Sequence, residues 1–451
     1  MNKISLREKV AYSGGDFAFN LVFGTITSFL LFFYTDVFGI SAAEAGAVLL
    51  VARLWDAVWD LFLGALIDRT STRWGQLRPY LMFGAPLLAL AAVACFTTPD
   101  WGHQGKLLYA FASYMLLMTC YSLVNIPYGA LPTLMSESHV ERTTLASWRM
   151  FFAFAGTMFV GAAAQALVGV LGEGDRGLGY QRVMIVFGTA ACLLIWACAY
   201  FCRERVPPIT GPRGDIKKDA AVLFKSRAWV CLAVCSLLAF SVLLLPVANA
   251  VYYMSYVAAR PDHIPVYLIL SGASMMLAAV ISGIVTKIFC KRSVWRAGSL
   301  GAIVFLSAVF FIDPKDLPLL YAVTIVANVF IGVTIPINFS MASDVADQIE
   351  LDHDRRMPGM VFSGLAFAGK AGLGLGGALA GALLAGFGYV ANAQQSPEAI
   401  VGIKLCMSLI PAAGCVLLLG VQMLYPLNRE GLTLLGAQLS RKRALSAPQP
   451  A

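Results

Sequence analysis

Long apolar runs alternate with short polar connectors along the whole chain. An α-helix needs about 20 apolar residues to cross roughly 30 Å of hydrocarbon, and twelve runs approach or exceed that length. They show little of the strict polar–apolar alternation that is typical of membrane β-strands. The pattern therefore predicts an all-α membrane protein with twelve transmembrane helices. The runs lie near residues 12–35, 43–67, 79–98, 107–134, 146–170, 181–202, 228–256, 266–286, 297–312, 318–341, 359–387 and 402–425.

The longest polar connector, 203–227, divides the runs six and six. We therefore predict two six-helix halves, 1–202 and 228–426, joined by this linker and followed by a tail, 427–451. Six helices plus six is the major facilitator architecture, which holds its substrate near the midplane between the halves. Most of the 33 Lys and Arg residues lie in connectors on the linker's side. Basic connectors favour the cytoplasm. We therefore predict that the linker and both termini lie on the cytoplasmic side of the cell membrane.

Composition supports a membrane protein. Of 451 residues, 59% are hydrophobic and 13% charged, whereas a soluble chain has about 45–50% apolar and about 25% charged residues. This excess of apolar side chains excludes soluble enzymes and nucleic-acid binders, and the net charge of +8 reflects topology. All ten cysteines lie inside or at the ends of apolar runs, so we expect free thiols.

Ionisable side chains inside the predicted helices are the first candidates for function. Each costs about 2.5–3.5 kcal/mol on insertion scales, so those retained in a membrane usually serve a purpose. Three are acidic and three basic, which suggests a network that neutralises itself. They are Asp16, Arg53, Asp56, Asp60, Arg149 and Lys370.

Asp56 and Asp60 are four residues apart, so both carboxylates leave the same face of the second helix. Their repulsion demands positive charge. Arg53, one turn earlier, can neutralise one carboxylate, and a proton or small cation can neutralise the other. With the Ser122 hydroxyl, the pair predicts a site for Na⁺, Li⁺ or H⁺. The alternative is a structural salt-bridge cluster closed by Arg53 and Arg149.

The fourth helix carries polar and aromatic groups ahead of a proline, Pro127. Asn125 and Tyr128 supply an amide and a ring that suit a neutral, polyhydroxylated ligand. Arg149 and Lys370 add donors for hydroxyls, a carboxylate or a phosphate. Each of these groups could instead bind a neighbouring helix.

Five segments together resemble the glycoside-pentoside-hexuronide:cation symporter family of the major facilitator superfamily. The resemblance runs through both halves, and the arginine-tryptophan-glycine loop after the second helix is its most specific part. The segments are LFFYTDVFG at 31–39, ARLWDAVWD at 52–60, DRTSTRWGQLRPY at 68–80, NIPY at 125–128 and SDVADQIE at 343–350.

The resemblance to the family's melibiose carrier implies roles for particular residues. It implies that Asp56 and Asp60 bind the coupling cation, with Ser122 at a hydroxyl position. It also implies sugar binding by Asp16, Arg149 and Lys370. Four positions depart from that carrier's pattern and leave galactoside specificity and the identity of the ion open. They are Trp59, Leu61, Asn125 and Gly129.

Together these features predict a cation-coupled sugar or glycoside symporter that works as a monomer by alternating access, without a cofactor besides the cation. Loop arginines are expected to form gate contacts with acidic helix ends. The predicted gate and network residues are Arg53, Arg69, Arg73, Arg78, Asp344, Asp347 and Glu350. One alternative keeps the fold but carries anionic or amphipathic substrates, such as hexuronides or lysolipids. Remote alternatives are a membrane enzyme and a non-transporting sensor, and we predict that the protein is not an enzyme.

Overall fold

The first half of the chain forms a bundle of six long helices. The computed structural model describes residues 4–67, 72–136, 139–205, 216–353 and 358–427, together with Gln438. Ser5 and Glu8 form a reciprocal capping box that starts the first helix. The helices of this half are α1 (Leu6–Phe32), α2 (Ala42–Ile67), α3 (Arg78–Cys95), α4 (His103–Met135), α5 (His139–Gly172) and α6 (Arg176–Phe201).

The second half repeats this arrangement after a short helix in the predicted linker. Its last membrane segment is interrupted at Ser408, whose φ of −136° and ψ of −86° are not helical. The linker helix is α7 (Ile216–Lys225), and the second half contains α8 (Arg227–Tyr252), α9 (Ile264–Ile288), α10 (Lys291–Phe311), α11 (Leu317–His353), α12 (Pro358–Gly386), α13 (Pro397–Met407) and α14 (Leu409–Met423).

Every predicted apolar run coincides with a helix, or with the α13–α14 pair in the last case, which confirms the predicted fold class. Among the described residues, eleven helical segments are long and apolar enough to cross a membrane. The remaining run is α2, which carries Glu44, Arg53, Asp56 and Asp60. Large apolar side chains face outward from the bundle, as expected for contact with lipid. All ten cysteines are free thiols.

The first helix of each half ends in a π-helical turn. Phe33–Phe38 continues α1, and Tyr253–Val257 continues α8. π-Helical turns are rare and occur frequently at functional sites. We call this the far end of the bundle; the opposite end, where α1 starts and the linker begins, is the linker end.

At the linker end, one carboxylate joins three backbone groups. Glu204, just after α6, accepts hydrogen bonds from the backbone N–H groups of Gln76 (2.7 Å), Leu77 (2.9 Å) and Arg78 (3.1 Å). Gly75 precedes them with φ of +112°, and a Cβ there would overlap the Glu204 carboxylate. The loop after α2 therefore needs glycine for both its conformation and its space.

Candidate functional site

Asp56, Asp60, Ser122 and Lys370 form a cluster between the two halves. Asp56 is fully buried, and Ser122 Oγ donates a hydrogen bond to Asp56 Oδ1 at 2.5 Å. Lys370, on α12 of the second half, lies 3.1 Å from Asp56 Oδ2 and forms a second ion pair with Asp60 Oδ2. The structure thus brings together the three residues that were predicted to bind a cation.

The positive partner of the two aspartates is Lys370, so the expectation that Arg53 neutralises one of them is wrong in this structure. Within the described residues, the Arg53 guanidinium forms no ion pair with either aspartate and instead lies 4.8 Å from the centre of the Phe23 ring. Lys370 was predicted to bind sugar together with Arg149. Two carboxylates share one ammonium, so the Asp56–Asp60–Lys370 cluster has a formal charge of −1.

A second pair of buried charges joins α1 to α5. Arg149 Nε and Nη2 donate to the two oxygens of Asp16 at 2.5 and 3.1 Å, a bidentate geometry. Tyr128 of α4 donates to Asp16 Oδ2 at 2.7 Å, and its ring stacks on Tyr12 at 4.7 Å. The salt-bridge alternative required Arg149 to close the Asp56–Asp60 cluster. Because Arg149 pairs with Asp16 instead, it does not do so. Asp16, Tyr128 and Arg149 meet, as expected of neighbours in one site.

We predict that Gly15→Ala disrupts this pair. A Cβ at Gly15 would overlap the Tyr128 ring, which stacking and hydrogen bonds hold in place. Overpacking of this kind costs about 1–3 kcal/mol, so the thermal unfolding midpoint in detergent should fall. Gly14→Ala is the matched control, since its Cβ would meet only Leu194 Cδ2, at 3.9 Å. Equal midpoints for the two variants would contradict the prediction.

A cavity of about 230 Å³ lies between the halves, close to both charged clusters. Asn20, which lines it, lies one turn after Asp16 on α1, and Asn20 Nδ2 donates to the backbone carbonyl oxygen of Asp16 at 2.8 Å. Thr157 of α5 donates to Asn20 Oδ1 at 3.0 Å. Leu373, one turn after Lys370, lines the same cavity. Its polar lining residues are Asn20, Thr27, Ser28, Thr157, Ser271 and Asn328.

The five residues that were predicted to bind sugar are not among the described residues that line this cavity. Asp16, Tyr128 and Arg149 instead support the α1–α5 wall behind Asn20, while Lys370 contacts Asp56 and Asp60. Asn125 lies on α4 and is half-buried. Sequence reasoning missed Asn20, Thr157 and Asn328, although all three are polar residues inside apolar runs, which is the signal that could have identified them.

At the far end, Asp36 of the first half is held by donors from the second half and by its neighbour Thr35. Tyr389 donates to Oδ1 and Oδ2 at 2.7 and 2.8 Å, and Tyr256 donates to Oδ1 at 2.5 Å. Thr35 donates to Oδ2 at 2.6 Å, and Asn392 Nδ2 donates to the Asp36 carbonyl oxygen at 2.6 Å. All these donors are uncharged. Asp36 lies in one of the segments that resemble the symporter family, but the sequence analysis assigned it no role.

The described contacts of Arg73, Arg78 and Asp344 lie within their own halves. Arg78 Nε donates to the Ala199 carbonyl oxygen at 2.7 Å, and the Arg73 guanidinium lies 4.4 Å from the Trp74 ring centre. Asp344 pairs with Lys291 at 3.1 Å, within the second half. The predicted contact of these arginines with Asp344 across the halves is therefore wrong in this structure. Asp347 and Glu350 follow Asp344 on α11, and Arg69 lies outside the described residues.

Comparison with known proteins agrees with this architecture. YagG of Escherichia coli (strain K12), which is named as a glycoside/cation symporter, is 33% identical over 449 residues, covering 98% of this chain and 97% of that protein. The isoprimeverose transporter of Lactiplantibacillus pentosus is 31% identical over 418 residues, covering 92% and 87%. The crystal structure of a D-xylose-proton symporter has a TM-score of 0.68 at 14% identity, covering 93% of this chain and 98% of that one, and shows the fold alone.

A family model described as MFS/sugar transport protein matches residues 11–429, almost the whole chain. The motifs in both halves agree with this match. They also agree with the relatives named for glycoside transport and with the observed helices. The chain belongs to the MFS/sugar transport family and, within it, to the glycoside-pentoside-hexuronide:cation symporters.

Proposed function

We propose that the protein is a secondary active transporter that carries a sugar or glycoside together with a monovalent cation by alternating access. The observation that carries this proposal is the Asp56–Asp60–Lys370 cluster, in which one ammonium serves two carboxylates beside a cavity between the halves. Membership of the symporter family supports the same activity.

The chemistry of the cluster fits a hard monovalent cation. Carboxylate and hydroxyl oxygens from Asp56, Asp60 and Ser122 converge there, and oxygen donors suit such ions. Asp60 Oδ1 is buried and accepts no hydrogen bond from the described residues. One added positive charge would bring the formal charge of the cluster from −1 to zero. Na⁺, Li⁺ or H⁺ would satisfy this balance.

A cation that binds this cluster competes with Lys370 for the same oxygens. Its binding would weaken the ion pairs that hold α12 of the second half to α2 of the first. The cation would thereby change the contact between the halves next to the cavity. Because binding coupling is reciprocal, the cation should raise the affinity for sugar by the same factor by which sugar raises the affinity for the cation.

The proposal includes a location and an orientation. We infer a monomer in the cytoplasmic membrane, with the linker end and both termini inside the cell, because the basic connectors lie at that end. The far end then faces outward and is closed by the Asp36 contacts. As the two halves rock against each other, the cavity between them would open alternately to the linker end and to the far end.

Uptake by the purified protein in sealed vesicles tests the proposal. We expect accumulation of a radiolabelled glycoside when a Na⁺, Li⁺ or H⁺ gradient points inward, and exchange without accumulation when the gradient is absent. Imposing each gradient separately identifies the ion. Accumulation that is independent of all three gradients would contradict coupling, while the absence of any glycoside movement would contradict transport itself.

Transport of an anionic or amphipathic substrate is the less supported alternative. It relies on Arg149 and Lys370 as anion-binding groups, but both form ion pairs with aspartates. An incoming carboxylate would have to replace an existing partner of one of these cations. Neither cation is among the described residues that line the cavity.

A further inference from the structure

Two arginines near the start of α10 lack an anionic partner. Arg292 and Arg296 are four residues apart and therefore lie on the same face of the helix. No ion pair joins either guanidinium to another of the described residues, and the Nε atoms of both are buried without a hydrogen bond. Asp344 of α11 pairs with Lys291 instead, at 3.1 Å. These four residues together have a formal charge of +2.

The end of α14 meets these arginines and adds further polar atoms without partners. Arg296 Nη2 donates to the backbone carbonyl oxygens of Gln422 (3.1 Å) and Met423 (3.4 Å). The Gln422 side chain is fully buried, and neither its Oε1 nor its Nε2 has a hydrogen-bond partner. The Tyr425 hydroxyl is likewise buried without a partner, and its ring packs edge-on against Trp295 of α10, with 5.8 Å between ring centres. Native proteins leave few buried polar atoms unsatisfied, so this concentration at one corner points to a polar ligand.

The corner between α10 and α14 lies at the level of lipid headgroups. Because α10 begins at Lys291, Arg296 is only about 7.5 Å along the helix axis, and the headgroup layer on each side of the hydrocarbon is about 5–8 Å thick. Leu300 and Val304 continue the same row of α10 at four-residue spacing, and both are exposed. Met423 of α14 is exposed as well. The arginines can therefore be reached from the surrounding leaflet, beside an apolar surface that suits an acyl chain.

A phosphodiester is the anion that fits this position best. Guanidinium groups match phosphate oxygens in a fork geometry, and basic pockets between membrane helices on the cytoplasmic side bind anionic headgroups. A lipid phosphate is already concentrated at this depth, whereas a soluble anion has to enter from the aqueous phase. A zwitterionic headgroup brings its own cation toward the two arginines, so a headgroup with a net negative charge should be preferred.

We infer that the corner formed by Arg292, Arg296 and the end of α14 binds the phosphate of an anionic phospholipid from the leaflet at the linker end. The two guanidinium groups hold the phosphate oxygens, while the carbonyl oxygens of Gln422 and Met423 keep Arg296 at the end of α14. The lipid thereby ties α10 to α14 within the second half. The inference does not depend on the cargo or the coupling ion of the proposed transport function.

Titration of lipids into the purified protein in detergent tests the inference, with binding measured by native mass spectrometry. Phosphatidylglycerol should bind at least about fivefold more tightly than phosphatidylcholine with the same acyl chains, since one basic side chain near a membrane surface has roughly that effect on an anionic lipid. It should also raise the thermal unfolding midpoint further. Equal binding of the two lipids would overturn the inference. If inorganic phosphate raises the midpoint as much as phosphatidylglycerol does, the assignment to a lipid is overturned.

Arg292→Gln assigns the binding to this corner, because Arg292 forms no ion pair with another of the described residues that the change would break. It should lower the affinity for phosphatidylglycerol about fivefold and leave that for phosphatidylcholine unchanged. Arg7→Gln, the same change at an exposed position of α1 at the linker end, is the matched control and should keep the wild-type affinity. An unchanged affinity in Arg292→Gln, or equal losses in the two variants, would overturn the site. The wild-type comparison of the lipids decides the inference even if Arg292→Gln fails to fold.

Discussion

Asp56→Asn is expected to abolish cation-driven accumulation while leaving sugar exchange at saturating concentration in place. The amide keeps the size of the side chain and can still accept the Ser122 hydrogen bond, but the cluster with Asp60 and Lys370 becomes formally neutral. A unit charge about 4 Å from a cation contributes about 4 kcal/mol at an effective dielectric near 20, or about 10³-fold in cation affinity. Gradient-driven uptake and counterflow in the same vesicles measure both properties.

Glu44→Gln is the matched control for this experiment. It makes the same carboxylate-to-amide change on the same helix, but Glu44 lies at the start of α2, where it caps Ser41 and pairs with His103. Glutamine can serve the same capping role, so accumulation should remain. Normal accumulation by Asp56→Asn, or equal losses in the two variants, would show that the cluster is not the coupling site.

Arg149→Gln is expected to destabilise the protein and to weaken sugar binding together. It leaves the Asp16 carboxylate buried with Tyr128 as its remaining side-chain donor among the described residues. Removing one partner of a buried ion pair costs about 3–5 kcal/mol. The α1–α5 wall that carries Asn20 and Thr157 would lose its strongest connection. Thermal unfolding in detergent and equilibrium binding of the preferred glycoside measure the two effects.

The double variant Asp16→Asn with Arg149→Gln tests whether this pair supports the α1–α5 wall or binds the sugar directly. Two neutral side chains leave no unpaired charge, so we expect most of the stability to return. Sugar affinity should recover as well if the pair acts only by holding α1 against α5. A stable double variant that still fails to bind sugar would instead identify Asp16 and Arg149 as direct ligands, the role implied by the family resemblance. A fully stable Arg149→Gln variant would contradict the energetic argument.

The helices and the shared face of two aspartates could be predicted because they depend on local spacing. Apolar runs long enough for a bilayer admit few structures besides helices, and a separation of four residues places Asp56 and Asp60 on one side of α2. That geometry requires a positive partner, and in the structure Lys370 contacts both carboxylates. Ser122 was included because its hydroxyl could add an oxygen to the site of the two aspartates, and it donates to Asp56 Oδ1 in the structure.

The pairing of charges could not be predicted, because it depends on how distant helices pack. Lys370 is 310 positions from Asp60 and Arg149 is 133 positions from Asp16, and composition does not distinguish one cation from another at such separations. Arg53 was the nearest cation along the chain, yet its side chain extends toward Phe23 of α1. The break at Ser408 and the two π-helical turns were missed for a related reason, since they arise from backbone geometry within otherwise apolar runs.

The far-end closure depends on one carboxylate and a set of neutral hydroxyl and amide donors. Salt in the medium weakens contacts between opposite charges at exposed sites. It has little effect on the hydrogen bonds between a buried anion and neutral tyrosine hydroxyls. Asp36 is 7% exposed, and its described donors are Tyr256, Tyr389 and Thr35. Separation of the halves at this end therefore exchanges tyrosine donors for water around a single anion, so its free energy should vary little with ionic strength. A transporter closed in this way would keep a similar equilibrium for opening of the far end in both fresh and saline surroundings.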